Sequence, residues 1–98
     1  MPTNPALGDE PQHYEIEIKK EAEKAMRRLP RDLRNRITAA ILKLADDPRP
    51  NGCTKIAGHD ILCRVHVGDW RITYAIYEGL LLIVIVEVKP RGGAYRGL

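Results

Sequence analysis

The chain has 98 residues, 44% of them hydrophobic and only 5% aromatic, which allows one domain with one modest core and leaves no room for a second. Lysine and arginine number 16 against 13 acidic residues, a formal net charge of +3 with a pI near 9.0, a bias that suits a polyanion or an acidic partner without requiring either. The longest apolar run, Leu80 to Val86, is far shorter than the roughly 20 residues a membrane helix needs, so a soluble chain with no membrane role is expected.

Residues 1–12 carry three prolines, a glycine and few large apolar groups, and read as a flexible leader ahead of a single domain over 13–98. His13 to Ile18 alternates polar and apolar residues, a first strand with Tyr14, Ile16 and Ile18 on one side. Lys19 to Leu29 switches to helical spacing through Ala22, Ala25, Met26 and Leu29, and Pro30 stops it. A second helix follows, with Leu33, Ile37, Ala40, Ile41 and Leu44 on one face, closed by Asp46-Asp47-Pro48. Neither helix can bury its stripe alone, so both are expected on one face of the sheet that follows. Arg49 to Asp60, with Pro50, Gly52 and Gly58, reads as a loop or irregular edge strand.

Leu62 to Tyr77 is a β-hairpin turned at Gly68-Asp69, because two apolar-alternating runs flank a two-residue link whose glycine can take positive φ. This register sets Val67 opposite Trp70, His66 opposite Arg71 and Arg64 opposite Thr73, with opposed Cβ atoms about 5 Å apart. Cys63, Val65, Val67, Ile72, Tyr74 and Ile76 share the core face, where Cys63 serves as a small buried hydrophobe. Leu80 to Lys89 is the last strand. A two-residue link at Glu78-Gly79 would pair Ile76 with Leu81, Ile72 with Ile85 and Arg71 with Val86. The strand is rich in Val and Ile and looks central, with the first strand parallel beside it. The expected fold class is α+β, in the order β-α-α-β-β-β, with two antiparallel helices packed on one face of a mostly antiparallel sheet.

Arg64, His66 and Arg71 thus gather on the outward face, and Arg91 and Tyr95 arrive from the tail. Like charges seldom face one another across a ladder, and this set suits phosphate chemistry. RNA cleavage without metal uses the neighbouring 2′-hydroxyl as nucleophile, and needs a base for its proton and cations for the phosphorane charge. His66 is the candidate base, its neutral form favoured by the flanking arginines. Arg71 and Arg91 are the candidate phosphate clamps, since guanidinium forks match phosphate oxygens in pairs. Tyr95 could stack on a base or relay a proton. Arg64, Lys55, Lys89 and Arg96 are the further candidates for RNA contact. The solvent face of any hairpin also carries Arg and His for solubility, so the residues alone leave both readings open. His13 and His59 read as surface residues, Trp70 as a lid on the core, and the basic run from Lys19 to Arg36 as a solvated helical face. Neither metal spacing nor a glycine-rich phosphate loop is present, and no cofactor is implied.

At Leu29-Pro30, Leu44 with Pro48, Gly52 to Gly58, the block Arg64 to Tyr74, and Arg91 to Tyr95, the chain resembles the RelE/ParE superfamily of toxins, nearer to the RelE side. The resemblance spans about Tyr14 to Arg96. It implies a cytoplasmic toxin of a type II toxin-antitoxin pair, a messenger-RNA endoribonuclease that cuts in the ribosomal A site and is silenced by a cognate antitoxin. Arg71 and Arg91 match the family's phosphate-contacting arginines and Tyr95 its C-terminal tyrosine. Arg64 and His66 stand at basic positions that relatives often fill with lysine. Pro90 departs from the histidine many relatives carry there. The alternative is a ParE-like protein that inhibits DNA gyrase without catalysis. A third reading is a non-catalytic domain whose outward Leu82, Val84 and Val86 receive an amphipathic antitoxin segment.

Overall fold

The computed structural model describes residues 13–91. It contains β1 (Glu15–Ile18), α1 (Lys20–Arg27), α2 (Arg31–Leu44), β2 (Thr54–Lys55), β3 (Leu62–Val67), β4 (Trp70–Tyr77) and β5 (Leu82–Pro90). The strands form one sheet in the order β1-β5-β4-β3-β2, with β1 parallel to β5 and every other pair antiparallel. The central place of β5 and its parallel neighbour agree with the expectation from its aliphatic run. The irregular stretch after α2 supplies only the two-residue edge strand β2. Such a short edge leaves little unpaired backbone for another chain to join.

Both helices cover one face of the sheet, α1 mainly over β5 and α2 against β3. Ala22, Met26 and Leu29 meet Ile37, Ile41 and Leu44 over Ile72, Tyr74, Ile76, Ile83 and Ile85 in a single core. Ile37, Ile72, Tyr74, Ile83 and Ile85 are fully buried, and each aliphatic side chain so placed contributes about 1.5–3 kcal/mol. Pro30 separates the helices. It cannot donate to α1, yet its carbonyl accepts the Arg34 amide at 2.9 Å and so opens α2. The Tyr74 hydroxyl donates to the Pro48 carbonyl at 2.6 Å, tying the exit of α2 to the middle of the sheet. Among the described residues no helix is long and apolar enough to cross a membrane.

The central hairpin has the expected register, with Val67 opposite Trp70, His66 opposite Arg71 and Arg64 opposite Thr73. Gly68 has φ +59°, a left-handed conformation that glycine adopts without a Cβ clash. The second hairpin differs from the expectation. Its connection is a 3-10 turn over Glu78–Leu80 followed by Leu81 at φ 50°, so that Tyr77 faces Leu82 and Ile76 faces Ile83 rather than Leu81. Arg49 Nη1 holds Glu78 Oε2 at 2.7 Å, and the Leu81 carbonyl accepts the Glu15 amide at 2.8 Å, so the longer link is fixed from outside the hairpin.

A second departure lies further along. The β4–β5 register shifts between Thr73 and Tyr74, where Tyr74 faces Ile85 but Thr73 faces Glu87. Val86 is the extra residue of a β-bulge, which reverses the in-out phase of β5. Ile72 therefore pairs with Val88 instead of Ile85, and Arg71 with Lys89 instead of Val86. Val88 turns in to the core at 3% exposure, while Glu87 and Lys89 turn out.

Candidate functional site

Residues directly opposite one another in a sheet point to the same face, so the two registers place six side chains in two rows across β3, β4 and β5. One row is Arg64, Thr73 and Glu87; the next is His66, Arg71 and Lys89. The rows lie about 7 Å apart along the strands, and neighbours within a row about 5 Å apart. This is the face turned away from the helices, since the intervening Val65, Ile72 and Val88 are core residues. The Arg91 amide donates to the Asp69 carbonyl at 2.7 Å, which fastens the end of β5 to the hairpin turn next to the second row.

The electrostatics of the two rows are uneven. Lys89 Nζ pairs with Glu87 Oε2 at 3.1 Å. Arg64 and Arg71 form no ion pair among the described residues, and the Nε atoms of both are buried without a hydrogen-bond partner. Thr73 Oγ1, in a side chain only 6% exposed, is likewise buried and unpartnered. Buried polar groups are normally satisfied, so three unpaired donors on one patch are prepared to meet an acceptor from outside the chain.

The patch borders a groove of about 490 Å³. Arg64, Thr73 and Glu87 line it together with Ile56, Leu62 and Val86, and Lys89, His59 and Glu21 line it as well. His59 reaches it because the chain from Ile56 folds back on itself: the His59 amide donates to the Ile56 carbonyl at 3.1 Å and the Ile56 amide to the Leu62 carbonyl at 3.0 Å. His66, although in line with Arg71, also opens to a second cavity of about 410 Å³ beside Lys43, Asn51 and Gly52.

The structure thus brings together Arg64, His66, Arg71 and Lys89, with exposed Arg91 at the turn. It does not bring Lys55 to them. Lys55 lies opposite Cys63 and shares the helix-side parity of that residue. Tyr95 and Arg96 lie outside the described residues, as does the leader over 1–12. Thr73, Glu87 and His59 were not singled out from the sequence. For Glu87 a signal existed, because unbroken alternation along β5 would have driven Glu87 and Lys89 into the core behind Ile83 and Ile85. Burial of an unpaired carboxylate is costly enough to demand a phase slip near Val86. Elsewhere burial raises the Cys63 thiol pKa, which suits a packing role better than a reactive one. His13, read as a surface residue, is exposed and bonds Asp46 at 2.9 Å.

Residues 16–95 match the family of ParE toxins of type II toxin-antitoxin systems, parDE. No curated protein matches the chain. Among solved structures, the RelE–RelB complex of Pyrococcus horikoshii OT3 is similar with a TM-score of 0.74 and 29% identity, over 83% of this chain and 98% of that one. The RelBE2 toxin-antitoxin complex of Mycobacterium tuberculosis gives a TM-score of 0.72 at 17% identity, over 82% of this chain and 93% of that one. The RelB–RelE complex of Methanococcus jannaschii gives 0.65 at 22%, over 84% and 98%. These likenesses bear out the α+β architecture with two helices on a mixed five-stranded sheet.

Proposed function

The chain belongs to the ParE toxin family of type II toxin-antitoxin systems, and from that premise we propose that it is a messenger-RNA endoribonuclease that acts on the ribosome in the cytoplasm and is silenced by a cognate antitoxin. The observation that carries this reading is the pair of unpaired guanidinium groups, Arg64 and Arg71, set beside His66 on one rigid sheet face. A protein that only needed a soluble surface would gain nothing from burying those nitrogens without acceptors. The RelE proteins similar to this chain occur in complexes with RelB antitoxins, which supports an antitoxin as partner here.

In the proposed reaction Arg71 and Arg91 hold the scissile phosphate and offset the charge that grows on its oxygens. His66 takes the proton of the adjacent 2′-hydroxyl as that oxygen bonds to phosphorus. The bond from phosphorus to the 5′ oxygen breaks, and the departing oxygen takes a proton from water. The products are a 2′,3′-cyclic phosphate and a 5′-hydroxyl. Arg64 and Lys89 with the tail residue Arg96 complete the proposed RNA contacts, and Tyr95 stacks on a base or relays a proton.

The competing reading, inhibition of DNA gyrase without catalysis, is favoured by the ParE name of the matching family. One experiment separates the two. The purified protein is incubated with translating ribosomes and the 5′ ends of the message are mapped, in parallel with a gyrase supercoiling assay. Cleaved message with unaffected supercoiling is expected. Intact message with blocked supercoiling overturns the ribonuclease.

A further inference from the structure

The groove beside the cationic row has a chemistry that phosphate binding does not use. Its walls at Ile56, Leu62 and Val86 are apolar, and its polar corner holds the Glu87 carboxylate, paired with Lys89, next to the unpartnered donors Arg64 Nε and Thr73 Oγ1, with Glu21 as a second carboxylate in the lining. Thr73 is more than nine-tenths buried. Two carboxylates in the lining offset the charge of Arg64 and Lys89, so this corner suits a less charged part of a nucleotide than its phosphate. The row that contains it runs parallel to the row of His66, Arg71 and Lys89, about 7 Å further along the strands. A nucleotide whose phosphate rests on the second row has its base within reach of the first.

Resting on the ribonuclease reading, we infer that this groove reads the base next to the scissile phosphate and selects guanine through Glu87. Unstacked single-stranded bases are read on their pairing edges, and an ionised carboxylate can only accept hydrogen bonds. Guanine presents two adjacent donors there, N1–H and the N2 amino group, which match the two carboxylate oxygens. Its O6 and N7 accept, and Arg64 and Thr73 are the donors on hand. The other bases fit worse. Adenine turns its N1 lone pair toward the carboxylate, cytosine its N3 lone pair, and uracil flanks its single donor with two carbonyl oxygens. Lys89 holds Glu87 through Oε2 and leaves the other oxygen uncommitted, so the carboxylate is oriented without being used up. The β-bulge at Val86 alone brings Glu87 to this face, and bulges commonly re-aim a side chain next to an active site.

The test uses the full chain and the four nucleoside 5′-monophosphates as probes, with affinities from isothermal titration. Guanosine monophosphate is expected to bind roughly tenfold to hundredfold more tightly than the other three. Glu87→Gln places an amide donor where an acceptor is needed and should collapse that ratio with the melting temperature unchanged. Thr73→Val should weaken guanosine monophosphate binding while keeping the order of preference. On translating ribosomes, wild-type cuts should fall beside guanine, and Glu87→Gln should still cut while losing that bias. Equal binding of the four nucleotides by the wild type, or an undiminished guanine preference in a folded Glu87→Gln, overturns the inference. Uncut message from the wild type removes the ribonuclease reading instead, and the nucleotide affinities still decide whether the groove reads guanine.

Discussion

The main-chain amide of Arg91 donates a 2.7 Å hydrogen bond to the carbonyl of Asp69, so the end of the last strand is fastened to the turn of the central hairpin. Pro90 faces Trp70 one step earlier, and Arg71 faces Lys89 a step before that. The position of Arg91 relative to Arg71 is therefore set by the turn at Gly68-Asp69, and the turn by glycine's freedom at φ +59°.

Gly68→Ala should cost about 1–2 kcal/mol, because a left-handed residue with a Cβ clashes with its own carbonyl. The added methyl would meet Arg36 Nη2 at 3.3 Å, the movable end of a long side chain, so packing adds little to the backbone term. A lowered urea midpoint with an unchanged slope is the expected result. Gly68→Asn should lose less, since asparagine tolerates positive φ.

Arg71→Ala and His66→Ala should each reduce cleavage on translating ribosomes at least about 100-fold. His66 is exposed and Arg71 has no ion pair to lose, so both variants should melt close to the wild type. Unchanged cutting by either variant would remove that residue from the mechanism.

Tyr74→Phe should destabilise the protein by about 1–3 kcal/mol, since it removes a 2.6 Å hydrogen bond and leaves the Pro48 carbonyl without its donor. The same residue predicts a pH dependence. Burial, reinforced by the neighbouring Cys53 and Cys63, pushes the Tyr74 phenol well above its ordinary range. A group raised in the folded state stabilises fully below its unfolded pKa of about 10 and loses that contribution as pH rises beyond it. Unfolding followed by circular dichroism should therefore show wild-type stability falling above about pH 10, with a smaller fall in Tyr74→Phe.

Local signals carried most of the architecture. Alternation in His13 to Ile18, the 3.6-residue stripes before and after Pro30, and the Gly68-Asp69 link each act within a few residues, and each led to the observed element. The second hairpin did not yield in the same way. Its link is lengthened by contacts from Arg49 and Glu15, which are distant in sequence, and its bulge answers the need to keep Glu87 and Lys89 out of the core. Recognition of Arg64, His66 and Arg71 followed from the first hairpin alone. Glu87 joined them only once the bulge was known, His59 only once the loop from Ile56 was seen to fold back, and Thr73, already opposite Arg64 in the expected register, only once its hydroxyl was found buried without a partner.

The facing of each cation predicts how RNA binding responds to salt. Each phosphate neutralised on a single strand lowers the slope of log affinity against log salt by about 0.7, so Arg71 and Arg91 together give a slope of roughly −1.4. Lys89 is already paired with Glu87 and adds less. Fluorescence anisotropy with a short labelled RNA should show Arg71→Ala reducing the slope by about 0.7 at every sequence tried. Lys55→Ala is the contrasting variant, because Lys55 shares the side of Cys63 rather than that of Arg64. Its slope should match the wild type. A Lys55 effect as large as that of Arg71 would mean that RNA crosses the sheet edge at β2 instead of lying along the two outward rows.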